Sequence, residues 1–235
     1  MCAWDGILVW PEVGTIAAEQ TFMIEGFADS QKTIRKLGRG YRAVLSDGTT
    51  TIELVVIGRY EGAMFLTEVL VKPSIPLTVG KTYELSFIGL PKEEAQPNHW
   101  NSGTQTWEPM RWNVTDMPQP LAGPLSQPRE TGKTLMHYGC GPEMHVHFRI
   151  APEGSTNGLV QVAVSEKGGG RRTTYVLRMQ DGRVEIGHGM CSGAFTFETG
   201  ETYTVTFDPI GPDGKPTGRA TVPVTFTPPV KETRR

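Results

Sequence analysis

The sequence predicts an all-β protein made of two β-sandwich domains in tandem. The first observation is a phrase that occurs twice. Residues 77–89 read LTVGKTYELSFIG and residues 197–211 read FETGETYTVTFDPIG, sharing Gly-[Lys/Glu]-Thr-Tyr-x-[Leu/Val]-[Ser/Thr]-Phe. Gly80 answers to Gly200, Tyr83 to Tyr203 and Phe87 to Phe207. The offset of 120 residues is about the length of one sandwich domain. The second observation is length: 235 residues make two units of about 100–120 residues, each able to bury its own core. The third is composition. Only 20% of residues are charged and Gly and Pro are plentiful, which suits short strands joined by turns.

The elements follow in order. In the first half, strands are expected over 6–10 (stopped by Pro11), 21–27, 41–45, 51–57, 64–71, 83–90 and 110–115. Asp47-Gly48 marks a hairpin because Gly accepts positive φ. Within 83–87, Tyr83, Leu85 and Phe87 share one face while Glu84 and Ser86 face away, the period of two expected of a half-buried strand. Residues 117–130, MPQPLAGPLSQPRE, hold four prolines and read as a stiff, extended linker. The expected division is therefore 1–116, a linker at 117–130, and 131–235. Strands in the second half are expected over 144–150, 159–164, 173–178, 183–188, 194–197, 202–208 and 220–227, with a hairpin at Asp181-Gly182. Gly168-Gly169-Gly170 reads as a flexible turn, since no helix follows it as a phosphate loop requires.

Several function classes are disfavoured. A formal charge of −2, with Arg171-Arg172 and the terminal Arg234-Arg235 the nearest thing to a basic stripe, argues against general nucleic-acid binding. No apolar run approaches the roughly 20 residues of a membrane-spanning helix. The opening MCAWDGILVW lacks the basic stretch of a signal peptide, which leaves two readings, a cytosolic protein or, the one favoured, a mature chain in which Met1 stands in place of a leader.

The first half resembles a bacterial immunoglobulin-like domain, of the same general kind as fibronectin type III domains. Residues 9–26, VWPEVGTIAAEQTFMIEG, are similar to the family's opening. Leu77-Thr78-Val79-Gly80-Lys81-Thr82-Tyr83 resembles the Leu-x-Pro-Gly-x-x-Tyr phrase, with Val79 where Pro is usual. Trp112 to Asp116 looks like the closing strand. The second half keeps the Gly200–Tyr203 phrase and is otherwise diverged. The resemblance implies two tandem immunoglobulin-like β-sandwich domains, corner tyrosines at Tyr83 and Tyr203 bonded to nearby backbone, and an extracytoplasmic setting. It carries over no catalytic residue.

Three cysteines allow one internal bridge. Cys140 and Cys191 each sit among glycines just before an expected strand, and a Cys140–Cys191 disulfide is expected, with an oxidising compartment as its consequence. The other reading is two buried thiols. Cys2 is left over, either a plain thiol or the lipid-bearing first residue of a lipoprotein.

The residues bearing ligand chemistry gather in the second half: Met136, His137, Cys140, Met144, His145, His147, His188, Met190 and Cys191, the two cysteines being available as ligands only if they are not bridged. His145 and His147, two apart on a strand, share a face and with His137 make a candidate copper site. Against this, Val146, Phe148 and Ile150 take the core face, which leaves His145, His147 and Arg149 as an ordinary outer face. No serine has a nucleophile-elbow context, and Glu93-Glu94 reads as a solvated loop tip. The long polar excursion 91–109 carries His99, Trp100 and Trp107. Long loops in compact domains are often functional. The tryptophans are expected either to face a partner or to fold back onto the sandwich. The reading is thus a non-enzymatic, extracytoplasmic protein that binds protein partners and needs no cofactor, acting in adhesion, scaffolding or a surface assembly. Periplasmic copper binding or delivery is the alternative.

Overall fold

A computed structural model of the protein describes residues 6–90, 97–119, 122–139, 141–154, 157–167, 170 and 172–230. The chain divides into two compact units. One comprises residues 6–59 and 68–119. The other comprises residues 120–235 with 1–5 and the segment 60–67.

The strands of the 6–119 region are β1 (Gly6–Trp10), β2 (Gly14–Ala17), β3 (Phe22–Phe27), β4 (Arg42–Ser46), β5 (Thr51–Glu61), β6 (Leu66–Pro73), β7 (Thr82–Ile88), β8 (Asn98–Asn101), β9 (Thr106–Pro109) and β10 (Arg111–Thr115). Eight of them follow the order β1-β3-β6-β5-β4-β7-β10-β2. Lettered along the chain, this is A-B-E-D and then C-F-G, the two layers of an immunoglobulin sandwich, with a second piece of strand A beyond G. The layers close on one core: Phe22, Ile24, Leu54 and Val69 from the first, Leu45, Leu85, Phe87 and Trp112 from the second.

Proline explains why strand A is in two pieces. Pro11 has no N–H to give to a ladder, so the antiparallel pairing of β1 with β3 ends at Trp10. The chain re-emerges as β2, which pairs parallel with β10 over Gly14–Ala17 and Trp112–Thr115. Trp112 pins the crossing. Its indole Nε1–H donates to the carbonyls of Pro11 (3.1 Å) and Glu12 (2.9 Å), and its ring meets Phe22 edge-on at 5.1 Å. The short helix α1 (Gln31–Lys36) was not expected from the sequence, because only Gln31 and Ile34 are buried along it and six residues show no helical stripe. The Arg59 guanidinium donates to the carbonyls of Ile34 (2.5 Å) and Leu37 (2.6 Å), pairing groups that a helix end leaves open.

The other unit holds β11 (Arg129–Tyr138), β12 (Gly141–Arg149), β13 (Gly158–Glu166), β14 (Arg172–Met179), β15 (Arg183–His188), β16 (Tyr203–Pro209) and β17 (Val224–Phe226). They form a three-stranded sheet, β11-β12-β15, and a four-stranded sheet, β14-β13-β16-β17. This is again a sandwich: A-B-E against C′-C-F-G. Phe148 crosses between the sheets to Phe207 (5.5 Å) and Phe226 (5.6 Å). The Asp181-Gly182 hairpin is a two-residue turn. Both residues have positive φ, and Gln180 and Arg183 exchange backbone bonds of 3.0 and 2.9 Å. The segment 60–67 is built into this unit. Met64 and Gly193 exchange backbone bonds of 3.1 and 2.8 Å, and the Tyr60 ring meets Tyr175 edge-on at 6.5 Å.

Two expectations fail here. Strand β11 starts inside the stretch read as linker and runs ten residues. Its side chains are mostly polar and exposed, because it is an edge strand paired only to β12, so it shows no apolar alternation. Residues 194–197 are not a strand. Ala194, Phe195 and Phe197 are buried, but the Ala194 carbonyl accepts from Ala63 while the Phe195 N–H goes to Gly187, and no single neighbour runs beside them. Cys2, Glu93-Glu94, Cys140, Gly168-Gly169, Arg171 and Arg234-Arg235 lie outside the described residues.

Candidate functional site

The described part of the long excursion between β7 and β10, residues 97–109, is a structured element of the F–G connection of its sandwich. Strands β8 and β9 form a separate antiparallel ladder, with Asn98 opposite Pro109, His99 opposite Glu108, Trp100 opposite Trp107 and Asn101 opposite Thr106. The period of two separates its faces. Trp100 and Trp107 stand together on one, their rings 5.6 Å apart and inclined by 66°, the edge-to-face arrangement that the ring quadrupole favours. They are 51% and 67% exposed; neither is folded back into the core.

The opposite face bonds to itself. One Glu108 carboxylate oxygen, Oε1, accepts from Asn101 Nδ2 (3.0 Å), Thr104 Oγ1 (2.8 Å) and Thr106 Oγ1 (3.3 Å). These donors, Asn101 first, hold the carboxyl below the usual carboxylate range, and the charge of His99 across the ladder acts the same way. Asn101 Oδ1 accepts the backbone N–H groups of Gly103 (2.9 Å) and Thr104 (3.3 Å), closing the tip. At the base, Met110 N–H donates to Pro97 O at 3.2 Å. The hairpin is thus ordered from within and presents two indoles outward.

The two copies of the repeated phrase build the same corner. Tyr83 OH accepts the N–H of Thr78 at 3.2 Å, and Tyr203 OH accepts the N–H of Glu198 at 2.9 Å. Each bond spans five residues and encloses a turn closed by Lys81 N–H to Thr78 O or Glu201 N–H to Glu198 O, both 3.3 Å. Gly80 and Gly200 take the third position with φ of 82° and 89°, as a type II turn requires. A Cβ at either would meet nothing within 4 Å, so dihedral angle alone accounts for glycine there.

Among the described residues the three candidate histidines do not come together on one face. His145 and His147 do share the outer face of β12, while Val146 and Phe148 are buried beneath. Their nitrogens are already engaged. His145 Nδ1 lies 3.1 Å from Glu185 and its Nε2 3.5 Å from Glu143, and His147 Nε2 pairs with Thr134 Oγ1 at 2.9 Å. Burial holds the His145 pKa below the ordinary histidine value, against the pull of Glu185 and Glu143. His137 sits opposite Pro142, whereas Thr134 sits opposite His145. That register is odd by one residue and turns His137 to the other face. Met144 is buried in the core. Among the described residues no three His, Cys, Asp or Glu side chains are grouped to hold a metal ion, and His137 stands apart from His145 and His147. The Cys140–Cys191 pairing lies outside the described residues because Cys140 does. The neighbouring residues come close: a Cβ at Gly141 would stand 3.9 Å from the Met190 carbonyl oxygen. No helix among the described residues is long and apolar enough to cross a membrane.

No family model matches the chain, and no curated protein matches it. Solved structures share weak likenesses. The two-domain fibronectin type III segment of chicken tenascin is 11% identical over 94% of this chain and 95% of that one, with a TM-score of 0.23. The N-terminal part of the bacterial S-layer protein SbsC is 11% identical over 95% and 43%, with a TM-score of 0.26. Type I pullulanase from Bacillus subtilis, solved with maltose, is 11% identical over 83% of this chain, which spans only 22% of the enzyme, with a TM-score of 0.25. The strand order and the two shared cores, independently of these likenesses, make the chain an all-β protein of immunoglobulin-like sandwich architecture.

Proposed function

We propose that this chain is a non-enzymatic, extracytoplasmic interaction protein akin to bacterial immunoglobulin-like domains. It acts in adhesion, in scaffolding or as a component of a surface assembly, and the β8–β9 hairpin is its binding element. The observation that carries the reading is the Trp100–Trp107 pair, directly opposed and more than half exposed on the F–G connection. Tryptophan is enriched at the energetic centres of protein interfaces. The F–G loop is also one of three that form the binding surface of immunoglobulin variable domains. The self-bonded polar face favours binding further, because an ordered hairpin loses little freedom on docking.

The proposed compartment rests on the cysteines. The approach of Gly141 to Met190 suits a Cys140–Cys191 bridge. Intact mass of protein purified without reductant is expected about 2 Da below the reduced formula, with one alkylatable thiol; three alkylatable thiols would remove the support for an oxidising space.

The binding role is tested with the full chain and a Trp100→Ala/Trp107→Ala double variant of equal thermal stability. Both are immobilised and offered surface-protein and cytosolic extracts of the source cells. Surface proteins retained by the parent and lost by the double variant are expected. An identical set retained by both would sink the assignment of the hairpin.

A further inference from the structure

The outer face of the β11-β12-β15 sheet carries a charge arrangement that sheet stability opposes. Arg129 stands directly opposite Arg149, and Arg149 directly opposite Arg183. Phe148 and Val184, their chain neighbours, are buried, so Arg149 and Arg183 project outward with Arg129 beside them. Three guanidinium groups therefore cross three adjacent strands in one row, about 10 Å from first to last at the usual strand spacing. Like charges directly opposite one another destabilise a sheet. Among the described residues no carboxylate relieves them. None of Arg129, Arg149 and Arg183 forms an ion pair, and the one hydrogen bond from their guanidinium groups runs from Arg149 Nη1 to the backbone carbonyl of Asp181 at 3.3 Å.

The row opens into a cleft of about 820 Å³ within the same unit, where Arg149 and Arg183 are joined by Arg178, His147, Thr131 and Gln180. Arg178 forms no ion pair among the described residues either. Two acids line the cleft, and both are engaged elsewhere. Asp181 Oδ1 accepts the backbone N–H of Gly154 at 2.6 Å, and Glu185 faces His145 and His147. What remains open is donor-rich: three arginine forks and an amide, the Thr131 hydroxyl being bonded to the His147 carbonyl at 3.3 Å. The planar fork of arginine matches the oxygens of a tetrahedral anion two at a time, and the volume falls in the range of small-molecule sites.

From this geometry we infer that the cleft binds a phosphate or sulfate ester group, held between Arg149 and Arg183 with Arg178 closing the third side. Such an anion turns the repulsion along the row into attraction.

The test uses the full chain at constant ionic strength set with chloride, titrated calorimetrically with inorganic phosphate, inorganic sulfate and pyrophosphate. Saturable one-to-one binding of at least one of them is expected, weakened about tenfold or more by Arg149→Gln or Arg183→Gln, each of which removes a charge-assisted bond. Lys215→Gln, on an exposed loop of the same unit, is expected to bind as the parent does. Binding of phosphate and pyrophosphate without sulfate would assign a phosphate ester, and the reverse a sulfate ester. Three flat titrations, or equal affinity in the arginine variants, would overturn the inference. Melting of the ligand-free chain is an independent check. Arg183→Gln is expected to melt at or above the parent temperature, since one repulsion is gone; a clear fall would make the row a structural device and not a site.

Discussion

The two sandwiches are alike at one corner and unlike one connection later. At the start of strand F, both fold a type II turn under a tyrosine hydroxyl, with the same glycine, the same five-residue bond and the same closing bond of 3.3 Å. After strand F they diverge. In the first sandwich the chain leaves β7 and builds a second ladder carrying two exposed indoles. In the second it leaves β16 through a loop at Asp213-Gly214 and returns as the three-residue β17. The corner is constrained by the interior it must close, because Tyr83 and Tyr203 are both buried core residues. The connection is constrained only at its two ends. A frame therefore repeats where packing dictates it, and the loops are where the two copies are free to acquire different roles.

That contrast is breakable. Tyr83→Phe and Tyr203→Phe should each cost about 1–2 kcal/mol, because each leaves a corner N–H without its acceptor. Urea midpoints should fall by similar amounts for the two. A loss at only one would mean that the corners differ energetically despite matching geometry. Next in size is the indole pair. A double-mutant cycle of Trp100→Ala and Trp107→Ala should show a coupling of about 0.5–1.5 kcal/mol, read by hydrogen exchange of the hairpin amides, with the global urea midpoint unmoved. A fall in that midpoint would show the hairpin to be part of the frame. Smaller still, Val79→Pro should stabilise by about 0.4–1 kcal/mol, since proline suits the second position of a type II turn and restricts the unfolded chain; no rise in midpoint would argue against that turn geometry.

The least effect is expected from pH. The folded-state pKa of Glu108 is depressed, so its contribution is present above the ordinary glutamate pKa and is lost as pH falls through the lower folded value. The Trp100–Trp107 exciton signal in circular dichroism should weaken on acidification below the ordinary glutamate range. A Glu108→Gln variant, whose amide oxygen still accepts, should hold its signal through that range. Equal weakening in both would place the cause elsewhere.

Sequence reading captured what repeats and missed what is singular. The Gly-x-Thr-Tyr phrase was legible because buried Tyr83, Leu85 and Phe87 impose a period of two. The Asp181-Gly182 hairpin was legible because its turn needs positive φ twice. Strand β11 was not, since an exposed edge strand is specified by backbone pairing more than by side-chain pattern. The β8–β9 ladder was hidden for a related reason. Its one apolar face is a single cross-strand pair, and Asn101, Thr104 and Glu108 look like loop residues until their mutual bonds are seen. Of the candidate residues, Trp100, Trp107 and His99 fall on one hairpin. His137 parted from His145 and His147 because a register odd by one residue, invisible before the β11–β12 pairing is known, reverses its face.

The divided first strand has a mechanical consequence. Because β2 and β10 lie parallel, tension that enters ahead of residue 14 and leaves after residue 115 pulls the two strands along their length in opposite directions. Their hydrogen bonds are then loaded together in shear; an antiparallel end pair would open one bond at a time. Trp112, bonded to Pro11 and Glu12, ties the point of entry to the strand that bears the load. Pulling the chain from its ends should show one rupture at higher force than the rest, lowered by Trp112→Phe, which removes that tie. A protein that held surfaces together under flow would gain from such a clamp at the point where strain arrives.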